Sequence, residues 1–259
     1  MTSMTSLLRH LADEADLPFT FGVNRWFEDG AVFTPDAIAM VSHVMAEECL
    51  EGHLTGVGRF RTSLIGDNCA RKHVLSYLGV PKAVDSAFSM NRMMQGNWDH
   101  LRWQAIGLSA GVFTDIEVPY EIADWEVSGP MDALMADGSG FELKTTGSRI
   151  YTGVIKSGPK YEHLMQCHLA IKALDLEAYS IVYVNRDTTD WREFRFRPMP
   201  DVLAALDMRM AALLAARRDR VLPPMYHKSA ADSCSLGVGA TWKGCAWAAT
   251  CPSATWQMR

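Results

Sequence analysis

The stretch Gly129–Thr146, with the sequence GPMDALMADGSGFELKTT, decides the fold of this chain of 259 residues. Its centre, Asp137-Gly138-Ser139-Gly140, is typical of a tight turn between two strands. The apolar residues on either side of that turn predict strands over 131–136 and 141–146. We therefore interpret the stretch as a β-hairpin.

Polar side chains lie among the apolar ones in this hairpin. Because side chains alternate along a strand, Glu142 and Lys144 share one face and Leu143 points to the other. Antiparallel pairing would bring the carboxylate of Asp132 beside that of Glu142. Neighbouring carboxylates repel each other unless a cation lies between them, and Mg²⁺ or Mn²⁺ suits such oxygen ligands. The same residues also fit a solvated hairpin with three surface charges, so the hairpin alone leaves both interpretations open.

The composition is that of a globular protein, with 48% hydrophobic residues and a net charge of −5. No apolar run approaches the ~20 residues of a membrane span, so we expect a cytoplasmic protein without a membrane segment. The net charge argues against a protein that coats nucleic acid indiscriminately. One local basic run stands out, because residues 143–161 contain no acid. Its basic residues are Lys144, Arg149, Lys156 and Lys160.

The remaining periodicity predicts an α/β fold, a mixed sheet with helices on both sides. Strands are predicted over 112–122, 125–135, 140–146, 179–185 and 191–197, with the fourth buried on both faces and the fifth at an edge. Helices are predicted over 35–50, from Asp67 or Asn68 to Gly79, and over 86–110, 160–174 and 200–221.

The helix over 86–110 carries an apolar stripe that we interpret most simply as core. The stripe consists of Met90, Met93, Met94, Trp98, Leu101, Trp103 and Ile106. His100 lies within the same helix. It is either a surface histidine or a metal ligand directed at the hairpin.

The composition changes after Pro223-Pro224, so we divide the chain into a body of residues 1–224 and a cysteine-rich segment of residues 225–259. The segment has little periodicity but contains Cys234, Cys245 and Cys251. A metal or a cluster held by these thiolates and by Cys69 would fasten it to the body. The other two cysteines, Cys49 and Cys167, fit the apolar sides of helices as core thiols.

Taken in order, these motifs resemble the RecB-type branch of the PD-(D/E)XK nucleases. Within it they resemble the CRISPR-associated exonucleases that carry a [4Fe–4S] cluster, and related virus-encoded exonucleases. The resemblance lies in Cys69-Ala-Arg71, Gly96-x-x-x-His100, Gly129-Pro-Met-Asp132, Glu142-Leu-Lys144 and the late cysteines. Two features depart from the family. Ten residues separate Cys234 from Cys245, and Gln166 is followed four residues later by Ala170 where the family has tyrosine.

The resemblance implies a restriction-endonuclease-like mixed sheet and a metal-dependent DNA exonuclease acting on single-stranded DNA or free ends. Its catalytic residues would be Asp132, Glu142, Lys144 and Gln166. Mg²⁺ or Mn²⁺ would be held by His100, Asp132, Glu142 and the Leu143 carbonyl. A structural [4Fe–4S] cluster would be held by Cys69, Cys234, Cys245 and Cys251, and spacing alone allows Zn²⁺ instead. DNA contacts are predicted at Arg71, Arg149, Lys156 and Lys160.

The implied partner proteins are those of recombination or CRISPR adaptation. Two other hypotheses stay open at this point. One is a DNA-binding accessory protein that keeps the nuclease fold and cleaves little. The other is a structural zinc module with four cysteine ligands, which leaves His100, Asp132, Glu142 and Lys144 unexplained.

Overall fold

A computed structural model describes residues 17–51, 57–82 and 87–224, together with Trp247, Thr250, Cys251 and Trp256. The helices are α1 Pro18–Glu28, α2 Pro35–Glu51, α3 Ala70–Tyr77, α4 Ala87–Ser109, α5 Ser148–Ser157, α6 Tyr161–Leu174 and α7 Pro200–Asp219. The strands are β1 Phe60–Arg61, β2 Phe113–Ile122, β3 Val127–Met135, β4 Gly140–Thr146, β5 Tyr179–Asn185 and β6 Trp191–Phe196. Over these residues, every helix is too short or too polar to cross a bilayer.

All six strands form one mixed sheet, in which β3 pairs with three other strands. Strand β2 pairs antiparallel with β3 along one edge. The opposite edge of β3 is shared, because β1 pairs parallel with Val127 and Ser128 and β4 pairs antiparallel with Ala133 and Leu134. Strand β5 then pairs parallel with β4, and β6 closes the far edge antiparallel to β5. The sheet is therefore forked along one side of β3, between β1 and β4.

Helices cover both faces of the sheet and bury two apolar layers. On one face, helices α3, α6 and α7 pack against side chains such as Met131, Ile181 and Tyr183. On the other face, α1 and α4 pack against side chains such as Phe141 and Leu143. Adjacent residues of β5, such as Ile181 and Val182, thus serve opposite layers, as alternation requires. The predicted mixed sheet flanked by helices is confirmed.

Several predicted elements agree with the structure, and a few differ. Strand β5 is buried on both faces and β6 lies at an edge, as predicted. Strand β3 begins at Val127 and not at residue 125, because a 3₁₀ turn occupies Ala123–Trp125 and Glu126 then adopts a left-handed conformation. Helix α5 was not predicted. It follows β4 immediately and places Arg149 and Lys156 of the basic run on a helix.

The prediction that the whole apolar stripe of α4 is core is wrong. The inner half of the helix is buried, as at Leu101, Trp103 and Ile106. In the outer half, Met93 and Trp98 are about half exposed, at 52% and 54%. Spacing identified an apolar helix face but not the point at which the covering layer ends.

Candidate active site

The site lies where the pairing of β3 with β4 stops. The ladder consists of Ala133 with Phe141 and Leu134 with Gly140, and its next step would place Asp132 opposite Glu142. At that step the side chain replaces the main chain, because Oδ2 of Asp132 accepts the N–H of Leu143 at 2.6 Å. The predicted juxtaposition of Asp132 and Glu142 follows from this register.

The other edge of β3 is distorted at the same level. Ile116 packs on the α1 and α4 face but Val118 on the opposite face, although residues two apart normally share a face. Glu117, between them, has a φ of 48°. A non-glycine residue in this region is uncommon and is strained unless its surroundings hold it there. Gln104 of α4 supplies contacts, since its Nε2 donates to Oε1 of Glu117 at 2.6 Å and to the carbonyl of Asp132 at 3.0 Å.

Gly129 of β3 allows β1, on the other arm of the fork, to lie close to β3. A Cβ there would lie 2.9 Å from the side chain of Thr62, in the 3₁₀ turn that follows β1. That separation is shorter than a normal non-bonded contact, so a larger residue would push the turn away from β3. The glycine that precedes Asp132 by three residues therefore keeps β1 beside β3.

A hydrogen-bonded network joins β4 to α6 within the fork. Lys144 donates from Nζ to Oε1 of Glu142 and, at 3.1 Å, to Oε1 of Gln166. The Nε2 of Gln166 donates to the same oxygen of Glu142 at 2.7 Å. Glu142 is buried, and Asp132 and Lys144 are partly buried. The three predicted residues Glu142, Lys144 and Gln166 are thus in direct contact.

Burial changes the acidity of both carboxyl groups. It raises the pKa of Asp132 to about 6, against the opposing charge of Lys144. Burial, reinforced by repulsion from Asp132, raises the pKa of Glu142 to about 7. Burial acts to lower the pKa of Lys144, but the two carboxylates outweigh it and the net pKa is raised. Lys144 is therefore a cation at neutral pH. Its single positive charge is not enough to neutralise both carboxylates.

His100 reaches the fork from α4 on the opposite face of the sheet. Its Nδ1 lies 3.4 Å from Oδ2 of Asp132. In the part of the chain that the structure describes, no three His, Cys, Asp or Glu side chains are gathered closely enough to complete a metal site. The donor types nevertheless suit a hard cation, because an imidazole and two mutually repelling carboxylates meet here.

A further pair, which the sequence did not reveal, lies beside Lys144. Nδ1 of His163 lies 2.7 Å from the hydroxyl of Tyr183, which also accepts the N–H of Lys160 at 3.1 Å. Burial, followed by the charges of Lys144 and Lys160, lowers the pKa of His163 to about 3, so its ring is neutral. His163 precedes Gln166 by three residues on α6, and this spacing places both on one helix face. That spacing was the available signal.

The four residues predicted to contact DNA lie in different environments. Arg149 and Lys156 are exposed on α5, which follows the carboxyl end of β4. Lys160 is the N-cap residue of α6, near Tyr183. Arg71 lies on α3 and donates to the carbonyls of Pro223 at 3.0 Å and Cys251 at 2.9 Å. Its predicted DNA contact remains a prediction, and its observed contacts are with the end of the chain.

The cysteines are described in part. Cys69, and not the predicted Asp67 or Asn68, is the N-cap residue of α3, and its N–H donates to Oδ1 of Asp67 at 2.9 Å. Cys251 is buried with Leu75 and Trp247. Cys167 is fully buried, which raises the pKa of its thiol well above the usual value. Cys234 and Cys245, and the side chain of Cys49, lie outside the described residues.

Comparison with known proteins gives structural likenesses alone, since no family model and no curated protein matches the chain. LHK-Exo in complex with dAMP is 16% identical, with 63% of this chain and 89% of that chain covered and a TM-score of 0.49. The alkaline exonuclease LHK-Exo from Laribacter hongkongensis is 17% identical over the same shares, with a TM-score of 0.48. The protein SSO0001 is 16% identical, with 67% and 86% covered and a TM-score of 0.45. Likeness of this extent does not assign the chain to a family.

Asp132 is a predicted metal ligand and also the acceptor for the N–H of Leu143. The second role leads to a stability prediction. Asp132→Asn keeps an acceptor for the N–H of Leu143 and removes a buried charge, whereas Asp132→Ala leaves that N–H without its acceptor. We expect the Asn variant to exceed the Ala variant by about 1–3 kcal/mol in free energy of unfolding, measured by urea denaturation in EDTA. The same pair of changes at the exposed Asp124 serves as control and should give nearly equal stabilities. Equal stability of the two Asp132 variants would contradict the proposed contact.

Proposed function

We propose that this protein is a metal-dependent DNA exonuclease that hydrolyses phosphodiester bonds, with single-stranded ends as its preferred substrate. The observation that carries the proposal is the opening of β3 from β4 around Asp132, Glu142 and Lys144. Charged groups that are buried or partly buried destabilise a fold unless they are paired, so the concentration of two acids and an ammonium at one gap in the sheet favours chemistry over structure. The hypothesis of a structural zinc module gives these residues no role.

A divalent metal fits the donor set, and His100, Asp132, Glu142 and the Leu143 carbonyl would hold it. When bound, Mg²⁺ or Mn²⁺ would supply a water of lowered pKa and positive charge for a phosphate. The chain supports such binding through the raised pKa values of both acids, because a cation would relieve the repulsion between Asp132 and Glu142. In the present arrangement Lys144 gives partial relief.

The remaining residues of the network would act on the scissile phosphate directly. Lys144 is protonated and partly exposed, so its ammonium can approach a phosphate oxygen and stabilise the negative charge that develops during hydrolysis. Gln166 fixes the direction of that ammonium, since it bonds both Lys144 and Glu142. Because the fork opens to the exterior, Lys144 is free to leave Glu142 and pair with a substrate phosphate.

The proposed DNA path leads from the fork along α5. Arg149 and Lys156 are exposed there, and the absence of acids from residue 143 to residue 161 favours contact with phosphates. A strand leaving the fork past the end of β4 would meet this helix first. Lys160, at the start of α6, extends the same basic run.

We further propose that Cys69, Cys234, Cys245 and Cys251 hold a structural [4Fe–4S] cluster, with Zn²⁺ as the alternative. The support is the anchoring of Cys251: Arg71, two residues after Cys69, donates to its carbonyl. Nearby, Nε1 of Trp247 donates to the carbonyl of Val80 at 2.8 Å. These contacts hold the end of the chain against α3, which begins next to Cys69. A cluster would add covalent bonds at this junction.

Loss of the ammonium should abolish most of the cleavage. Lys144→Ala is expected to lower the rate of cleavage of end-labelled single-stranded DNA with Mn²⁺ by at least ~100-fold, the scale of one charge stabiliser. Lys172→Ala is the matched control on α6, because Lys172 pairs with Asp207 at 3.1 Å and lies outside the network. Near-normal cleavage by Lys144→Ala would refute the assignment.

Metal affinity should rise with pH. Both carboxyl groups must ionise to bind a cation, and their raised pKa values keep them largely protonated below pH 6. We expect Mn²⁺ to bind at least ~10-fold more tightly at pH 8.0 than at pH 5.5 in calorimetric titrations. In Glu142→Gln this dependence should shrink. Equal wild-type affinities at the two pH values would argue against these ligands.

The cluster proposal predicts iron in protein purified without oxygen. Cys69→Ala and Cys251→Ala should each lose the colour and most of the iron, because four thiolates are required. Cys167→Ala is the control and should keep both, since that thiol is buried in the core. Colourless protein loaded with zinc would exclude the cluster, and full iron content in Cys234→Ala would remove that residue from the ligand set.

A further inference from the structure

His163 lies on α6 beside Lys144, outside the network that joins Lys144 to Glu142. Lys144 of β4 is the ladder partner of Tyr183 in β5, and directly paired residues of neighbouring strands share a face of the sheet. The ring of His163 stacks on that of Tyr183, with centroids 5.6 Å apart and an interplanar angle of 28°. Gln166, one turn further along α6, accepts from Lys144 at 3.1 Å. The two α6 side chains thus reach the same part of the fork from one helix face.

Tyr183 determines which ring nitrogen of His163 carries the proton. The side chain of Tyr183 is fully buried, so its hydroxyl proton needs an acceptor inside the protein. The hydroxyl oxygen already accepts the N–H of Lys160 at 3.1 Å, and Nδ1 of His163 lies 2.7 Å from it. Nδ1 is therefore the acceptor that the described residues offer to the phenol. A neutral imidazole that accepts at Nδ1 carries its own proton on Nε2.

The resulting Nε2–H group of His163 is open to a ligand. No group in the described part of the chain accepts from it, and the protein does not enclose this nitrogen. The charges nearest to the ring are those of Lys144, which acts more strongly, and of Lys160. In the free protein these two ammonium groups pair with Glu142 and Glu162. A ligand at Nε2 would therefore lie beside the ammonium that we propose for substrate binding.

We infer that Nε2 of His163 donates a hydrogen bond to an oxygen of the phosphate that pairs with Lys144, and this inference rests on the proposed function. The donor needs no rearrangement when Lys144 turns from Glu142 to the phosphate, because Tyr183 already fixes the ring. A neutral donor also adds a hydrogen bond without repelling Lys144 or a bound cation. Tyr183 is then a positioning residue, since it acts on the substrate through His163.

The first test compares a side chain that cannot donate with one that can. His163→Leu should lower kcat/KM for end-labelled single-stranded DNA with Mn²⁺ by at least ~10-fold, the scale of one hydrogen bond to a charged group. His163→Gln should keep most of the activity, because its amide nitrogen can take the place of Nε2. His43→Leu, at an exposed histidine of α2, is the control and should cleave like the wild type. Wild-type activity in His163→Leu would overturn the inference, as would a His163→Gln variant no more active than His163→Leu.

The role of Tyr183 is tested by a double-mutant cycle. Tyr183→Phe lets the proton of His163 move to Nδ1, so we expect kcat/KM to fall by several-fold in the wild-type background. In the His163→Gln background no tautomer has to be held, and the same change should cost little. A purely structural tyrosine would cost as much in both backgrounds, and equal losses would overturn the positioning role.

The tautomer itself can be observed without cleavage. In metal-free protein labelled with ¹⁵N at histidine, nuclear magnetic resonance at neutral pH should find the ring proton of His163 on Nε2. A proton on Nδ1 would overturn the inference, and this measurement needs no variant that has to fold. A wild type that does not cleave DNA would refute the proposed function and the inference with it. A cleaving wild type equalled by His163→Leu would refute the inference alone.

Discussion

The N–H of Leu143 donates to the carboxylate of Asp132 and not to a main-chain carbonyl of β3. The arrangement of the site depends on this replacement of a main-chain acceptor by a side chain. An antiparallel ladder that continued through Asp132 and Glu142 would close the gap in which Lys144 and Gln166 meet. Because a side chain reaches further than a carbonyl, strands β3 and β4 diverge without leaving the N–H of Leu143 unpaired. The fork also lets His100 approach from one face of the sheet and Gln166 from the other.

This arrangement lowers the stability of the metal-free protein. Both acids have pKa values raised by burial, so the fold loses stability as the pH rises from their ordinary range, about 4, toward 7. Lys144 offsets part of this cost, and the left-handed Glu117 adds strain on the neighbouring strand. A structural role would be served better by apolar residues of similar volume. Retention of the acids in the centre of the sheet is therefore best explained by what they bind.

Local patterns in the sequence were sufficient to predict most of the fold. Alternation located β4 and β5, and the Asp-Gly turn set the register that brings Asp132 to Glu142. Helix α5 was missed because Gly153 and β-branched residues weaken its helical pattern, and its formation depends on docking Val154 into the core. The distortion at Glu117 has no sequence signal, since glutamate rarely adopts positive φ. Gln104 and His163 were missed because each reaches the site through contacts between distant elements.

The exposed half of α4 shows why an apolar period is not sufficient to predict burial. Its apolar residues continue on both sides of His100, but those that the sheet, α1 and α2 bury belong to the inner half. A helix that served the core only could end where its covering layer ends. Spacing along one helix cannot show where that layer ends, because the residues that cover the helix belong to elements distant in the chain.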